Sequence, residues 1–188
     1  MPENADQLHR RAADALLSPP VEEWDTWPFE GPVAPRALGP PGEELIRDGE
    51  GGKPCTACAK PDADYFWTDA NWRLMATEPS GLPVVLILEP RAHIDAPADL
   101  PDDLAQEQGL LLGRVERAVL SVGGIGRVHI GRWGEGAAHL HWWFIARPAG
   151  FTQLASSMAE IWSDVLPPTP QPIWDDNVAR VAAAMRQG

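Results

Sequence analysis

GEGAAHLHWWFIARP, residues 134–148, places two histidines in alternation ahead of a run of aromatic and branched side chains. Strand side chains alternate faces, so the spacing predicts a strand over 139–146 with His139, His141 and Trp143 on one face. Leu140, Trp142 and Phe144 share the other. Two imidazoles on one side of such a strand must be satisfied, bound to something, or at work. LPVVLILEPRAHI, residues 82–94, is the second decisive stretch. It predicts a dense strand over Leu82–Leu88, stopped at Glu89-Pro90, with His93 just beyond its end.

Elements on either side follow from turn and capping residues. Tyr65–Thr68 and Trp72–Thr77 read as a hairpin around Asp69-Ala70-Asn71. Asp102 or Asp103 offers a helix cap, and Leu104, Leu111, Val115, Ala118 and Val122 follow at helical spacing. Gly123-Gly124 ends that helix. Arg127–Gly131 is a further strand, Thr152–Val165 a helix, Pro167–Pro172 a rigid linker and Asp175–Gln187 a terminal helix. Consecutive strands mostly pair with neighbours, so an antiparallel α+β sheet is expected rather than a doubly wound parallel one. Upstream, residues 5–17 form a short helix with Leu8, Ala12 and Leu16 on one side. Residues 18–54 carry Pro19, Pro20, Pro28, Pro32, Pro35, Pro40 and Pro41, which oppose regular structure. Trp24, Trp27 and Phe29 mark this arm as one that packs over a surface. The expected organisation is an N-terminal helix and arm (1–54), a central domain (55–166), and a linker and helix packed on it (167–188).

Bulk properties narrow the function. The chain has 188 residues, enough for one sizeable core plus arms. Its formal net charge of −12 argues against a nucleic-acid partner, which usually meets a basic stripe. No apolar run approaches the ~20 residues a membrane span needs. The N-terminus lacks the basic start and apolar stretch of a secretory signal, so a cytoplasmic, reducing location is expected. The two cysteines, Cys55 and Cys58, form a C-x-x-C pair. Two thiolates at this spacing plus two imidazoles make a tetrahedral zinc set. A redox pair should follow an apolar strand and open a helix, and DGEGGKP before and AKPDAD after fit neither. An unliganded pair on a loop is the remaining alternative. Of the five histidines, His9 sits in a polar helix, and His129 in RVHIG is core or site.

LPVVLILEPRAHI followed by GEGAAHLHWWFIARP resembles the histidine triad (HIT) superfamily, in the zinc-bearing branch that includes galactose-1-phosphate uridylyltransferase. Members carry a strand ending in Pro-x-x-His. They also carry a Gly-rich turn into His-x-His-x-His, or His-x-His-x-Gln among transferases. The resemblance covers roughly Cys55 to Pro148. It implies an antiparallel HIT-like sheet with a long central helix. It also implies a structural zinc on Cys55, Cys58, His93 and His139, and a nucleophile at His141. The implied reaction is nucleotide hydrolysis or nucleotidyl transfer through a covalent nucleotidyl-histidine. Gly134 and Gly136 would let backbone N–H groups approach a phosphate. The implied partner is a nucleotide or other phosphorylated small molecule. Family members often dimerise, and the long helix has an apolar face extensive enough to contribute.

The chain also departs from the family. Glu135 stands where Gln is usual, Trp143 occupies the third triad position, and Gly131 falls about where the family has Asn. Arg132 is a candidate phosphate contact or a solvated arginine. Glu78 is a candidate ribose contact or an exposed turn residue. Trp72 or Trp67 is a candidate for stacking on a base, with core packing the favoured expectation for either. A second reading therefore stands beside the enzyme: a zinc-stabilised scaffold with a remodelled pocket. Such a protein would bind a nucleotide or protein partner, or act on a non-nucleotide substrate.

Overall fold

The computed structural model describes residues 4–14, 20–31, 33–34 and 36–187. The chain divides into two compact units, residues 1–45 and 46–188. In the first, helix α1 spans Ala5–Asp14. Asn4 and Gln7 cap it reciprocally, each backbone N–H donating to the other's side-chain oxygen at 2.9 Å. The expected extension through Leu16 lies outside the described residues, as do Pro19, Pro32 and Pro35. Among the described residues of the arm, a 3-10 turn forms at Val21–Glu23. Trp27 and Phe29 meet edge to face at 5.4 Å, while Trp24 and Phe29 keep much of their surface exposed.

The second unit holds the sheet. Its strands are β1 (Trp67–Thr68), β2 (Trp72–Ala76), β3 (Val85–Pro90), β4 (Ile125–Gly131) and β5 (Trp142–Pro148). They run antiparallel throughout in the order β1-β2-β3-β5-β4. The β1–β2 turn is closed by Asp69, whose carboxylate accepts from the Asn71 and Trp72 backbone N–H groups. β3 starts later than the apolar run predicts, because Pro83 has no N–H for a ladder. The Leu82 and Pro83 carbonyls bond instead to Thr169 Oγ1 and Asn177 Nδ2, each at 2.8 Å.

One face of the sheet carries Trp72, Leu74, Leu86, Leu88, Phe144 and Ala146, all fully buried. Each leucine and phenylalanine among them contributes about 1.5–3 kcal/mol by leaving water. Helices α3 (Asp102–Leu120) and α5 (Gln171–Gln187) cover this face through Val115, Val119, Val181 and Met185. Asp102 and Asp103 are not caps: Pro101 occupies that position, and both aspartates lie in the first turn, where the helix dipole favours them. Gly123 and Gly124 end the segment at φ +88° and +69°. α5 begins at Gln171, earlier than expected, because Pro172 is tolerated in a first helical turn.

The opposite face carries Val85, Trp143 and Ile145, packed with Leu82, Leu154, Ala159 and Trp174. Helix α4 (Met158–Val165) lies here. It is shorter than the predicted Thr152–Val165 because the chain turns at Ser156, at φ +52°. Among the described residues, no helix is long and apolar enough to cross a membrane.

Candidate functional site

Cys55 caps a single helical turn, α2 (Thr56–Ala59), and accepts from the Cys58 N–H at 3.4 Å. Asp48 fixes the start of this turn, accepting from Thr56 N–H at 2.8 Å and Thr56 Oγ1 at 3.0 Å. His93 arrives from the end of β3 and His139 from the approach to β5. The four ligand atoms lie within 4.8 Å of one another. Cys55 Sγ and Cys58 Sγ stand 3.4 and 3.5 Å from His139 Nδ1, and Cys58 Sγ stands 3.4 Å from His93 Nδ1. Tetrahedral zinc with ordinary bond lengths would set sulfur and nitrogen about 3.6 Å apart, so this donor set fits the ion.

The surroundings prepare these atoms for a cation. His139 is buried, and its Nε2 lies 2.9 Å from the Pro90 carbonyl oxygen. A carbonyl only accepts, so Nε2 carries the proton and Nδ1 keeps its lone pair toward the sulfurs. Burial holds the His139 imidazole below its usual range, which favours the neutral ligand form. Burial, with Cys55 adding to it, pushes the Cys58 thiol up to about 11. A cation at this position would draw the Cys58 thiol toward its thiolate form. Gly49, at φ +81°, lies against the set; a Cβ there would come within 2.8 Å of His93 Cε1.

Two charged clusters prop this arrangement. Arg73 and Glu89, opposite each other in the β2–β3 register, form a buried ion pair at 2.9 Å. The Tyr65 hydroxyl donates to the same carboxylate, and Arg73 lies 4.4 Å over the Tyr65 ring. Arg73 also donates to the Ala57 and Lys60 carbonyls, which ties the cysteine turn to the sheet. Arg47 donates to both Asp95 oxygens at 2.9 and 2.6 Å, to Glu50, and to the Gly134 carbonyl at 3.0 Å. The Arg47 guanidinium holds the Asp95 and Glu50 carboxyls below the usual carboxylate range. Asp48 N–H donates to the Gly136 carbonyl, and Ala138 N–H donates to the Asp48 carbonyl. The Gly-rich turn is thus held at both ends.

The strand expected from His139 begins at Trp142. Leu140 N–H donates to the Ile94 carbonyl at 2.6 Å instead of joining the β3 ladder. His141 Nδ1 lies 2.7 Å from the His139 carbonyl oxygen, so Nδ1 carries the proton and the Nε2 lone pair is free. His141 lines a cleft of about 450 Å³. Val85, Trp143 and Ile145 form its floor, and Trp133 and Gly136 come from the turn. Glu160, Ser163 and Asp164 of α4 close the far side. The His141 and Trp143 rings meet edge to face at 6.3 Å.

The remaining sequence candidates fall in different places. Gly136 and Trp143 lie in the cleft with His141; Gly134 serves as the acceptor for Arg47, and Glu135 is exposed. Arg132 turns from the cleft to Asp95, donating to its backbone carbonyl at 2.9 Å with the carboxylate 3.7 Å away. Glu78 is exposed and lines a separate groove with Phe66, Thr77 and Trp174. Trp72 is fully buried and Trp67 packs on the core. His129 lines a smaller cavity of about 240 Å³ with Ser156, Ser157 and Glu160. Sequence reading missed Arg73, Glu89, Tyr65, Arg47, Asp48 and Trp133. For Arg73 and Glu89 a signal existed: single opposite charges inside two apolar strands that pair with each other.

No protein-family model and no curated protein matches this sequence. Solved structures do resemble it. A histidine triad protein from Bradyrhizobium japonicum has a TM-score of 0.51 at 21% identity, covering 65% of this chain and 87% of its own. A hypothetical histidine triad nucleotide-binding protein from Sulfolobus tokodaii has a TM-score of 0.53 at 14% identity, covering 71% and 93%. A zinc-bound histidine triad family protein from Mycobacterium smegmatis has a TM-score of 0.51 at 16% identity, covering 71% and 94%. The fold of this chain is the histidine triad fold.

Proposed function

We propose that the chain is a nucleotide hydrolase or nucleotidyltransferase of the histidine triad type, with His141 as nucleophile. The observation that carries this reading is the 2.7 Å contact from His141 Nδ1 to the His139 carbonyl, with His141 on the wall of a ligand-sized cleft. The Nε2 lone pair attacks an α-phosphorus and the bond to the leaving oxygen breaks. The leaving group departs with that electron pair. The His139 carbonyl stabilises the positive charge that develops on the ring as the N–P bond forms. Water, or a second acceptor in a transferase, then attacks the same phosphorus and regenerates neutral His141. Backbone N–H groups of the turn at Gly134–Gly136 supply donors to the phosphoryl oxygens.

Cys55, Cys58, His93 and His139 would hold the zinc, with all four positions filled by protein; bound there, it cross-links the segments that carry His93 and His139. A reducing compartment suits Cys55 and Cys58 as thiolate ligands. The zinc-bound structural neighbour from M. smegmatis supports the metal assignment.

The test is a search for the covalent intermediate. The protein is mixed with a panel of nucleoside phosphoramidates, nucleotide sugars and dinucleoside polyphosphates, then quenched in alkaline denaturant and mapped by mass spectrometry. The expected result is one mononucleotide on the His141 peptide and none in His141→Ala. Turnover with no adduct at His141 overturns the mechanism. Trp143 beside His141 favours a second reading, in which the scaffold binds its ligand without turnover. Saturable nucleotide binding with no product would establish that case.

A further inference from the structure

The cleft beside His141 has an unusual charge for a phosphate-handling site. Among the described residues, its ionisable side chains other than His141 are two carboxylates, Glu160 and Asp164. They lie one turn apart on α4, so they share a helix face. Among the described residues, neither lysine nor arginine lines it: Arg132 and Arg47, near the turn, are engaged by Asp95, Glu50 and the Gly134 carbonyl. Two indoles, Trp133 and Trp143, line it beside the aliphatic Val85 and Ile145. Trp133 packs on Gly131 so closely that a Cβ there would come within 2.6 Å of the ring, and Trp143 stands against His141.

We propose that this cleft selects substrates whose leaving group carries an ammonium charge, taken between the indoles of Trp133 and Trp143 with Glu160 and Asp164 as counter-ions. This rests on His141 being the nucleophile. Indole faces attract cations, quaternary ammonium above all, and carboxylates beside them raise that preference. The same carboxylates repel an anionic leaving group such as a second nucleotide or a pyrophosphate. Burial, with Asp164 adding to it, holds the Glu160 carboxyl above its usual range, a cost that a bound cation relieves. In the reaction the His141 Nε2–P bond forms, the P–O bond to the leaving group breaks, and solvent protonates the departing oxygen.

The experiment uses three aryl esters of adenosine and uridine 5′-monophosphate. Their phenols carry a para trimethylammoniomethyl group, its neutral neopentyl isostere, or a carboxymethyl group. Wild type is expected to favour the cationic over the neutral ester by tenfold or more in kcat/KM, with the anionic ester slowest. In Glu160→Gln/Asp164→Asn, and in part in Glu160→Gln alone, that ratio is expected to fall to within about twofold. Zinc content and circular dichroism show that the variants are folded. Equal use of cationic and neutral esters, or a ratio unchanged in the variants, overturns the proposal. Failure of the nucleophile itself reads differently. The corresponding cationic and neutral methyl ethers, which have no phosphate, are titrated by tryptophan fluorescence. Preference for the cationic ether without any ester turnover would refute His141 chemistry and leave the cation subsite standing. No preference in either assay removes the subsite.

Discussion

Replacing Arg73 by methionine keeps the stem and deletes the charge at the centre of the support beneath the cysteine turn. In the wild type the Arg73 and Glu89 side chains are each only 5% exposed and pair at 2.9 Å. The substitution leaves Glu89 buried with Tyr65 as its remaining side-chain donor, and it frees the Ala57 and Lys60 carbonyls. Removing one partner of such a pair costs about 3–5 kcal/mol, because the other charge stays buried and uncompensated. That is a factor of about 10² to 10⁴ in the folded-to-unfolded ratio. Arg73→Met/Glu89→Gln removes the stranded charge and should recover more than half of the loss, since glutamine still accepts from Tyr65. Equilibrium unfolding in urea, with zinc present throughout, measures both variants and their coupling. A loss below about 0.5 kcal/mol for Arg73→Met, or additive single and double losses, would refute this account of the support.

Cys58→Ser should lose the metal and lower Tm to the value that wild type shows after chelation, because three ligands do not close a tetrahedral site; metal analysis and thermal scans check both. Acid should weaken the fold through Asp95 and Glu50. Their folded pKa values are depressed by Arg47, so their contribution is present above the ordinary carboxylate range and is lost as pH falls through the depressed values. Arg47→Ala should remove that part of the acid dependence of Tm. Glu160 has the opposite sign. Its folded pKa is raised, so ionising it costs stability as pH rises through the range between the ordinary and raised values. Glu160→Gln should therefore raise Tm at pH 8 and leave it unchanged at pH 3.

Local pattern carried much of this fold into view. The apolar density of Val85–Leu88 and the alternation around His141 located two adjacent strands of the sheet, while the resemblance to the histidine triad family singled out Cys55, Cys58, His93 and His139, whose ligand atoms the fold brings together. What stayed hidden depends on pairing rather than on any one segment. Arg73 opposes Glu89 only once β2 and β3 are in register, and Arg47 reaches Asp95 and Gly134 across the irregular stretch before Cys55. Arg132 looked available for phosphate because sequence does not reveal Asp95 beside it. Trp133 and Glu160 become neighbours of His141 only when α4 packs beside Ile145, and α4 itself is shortened by the turn at Ser156. Helix starts at 102 and 171 shifted because proline occupies a cap in one case and a first turn in the other.

The division of labour between the two alternating histidines is tested most directly by one preparation: His141→Ala, assayed for metal and for nucleotide cleavage together. The account predicts one zinc per chain, as in wild type, because His141 is not among the four clustered donors. It also predicts loss of turnover by at least ~10³-fold, the scale expected when a nucleophile is deleted. Cleavage that persists in the zinc-loaded variant would contradict the central claim.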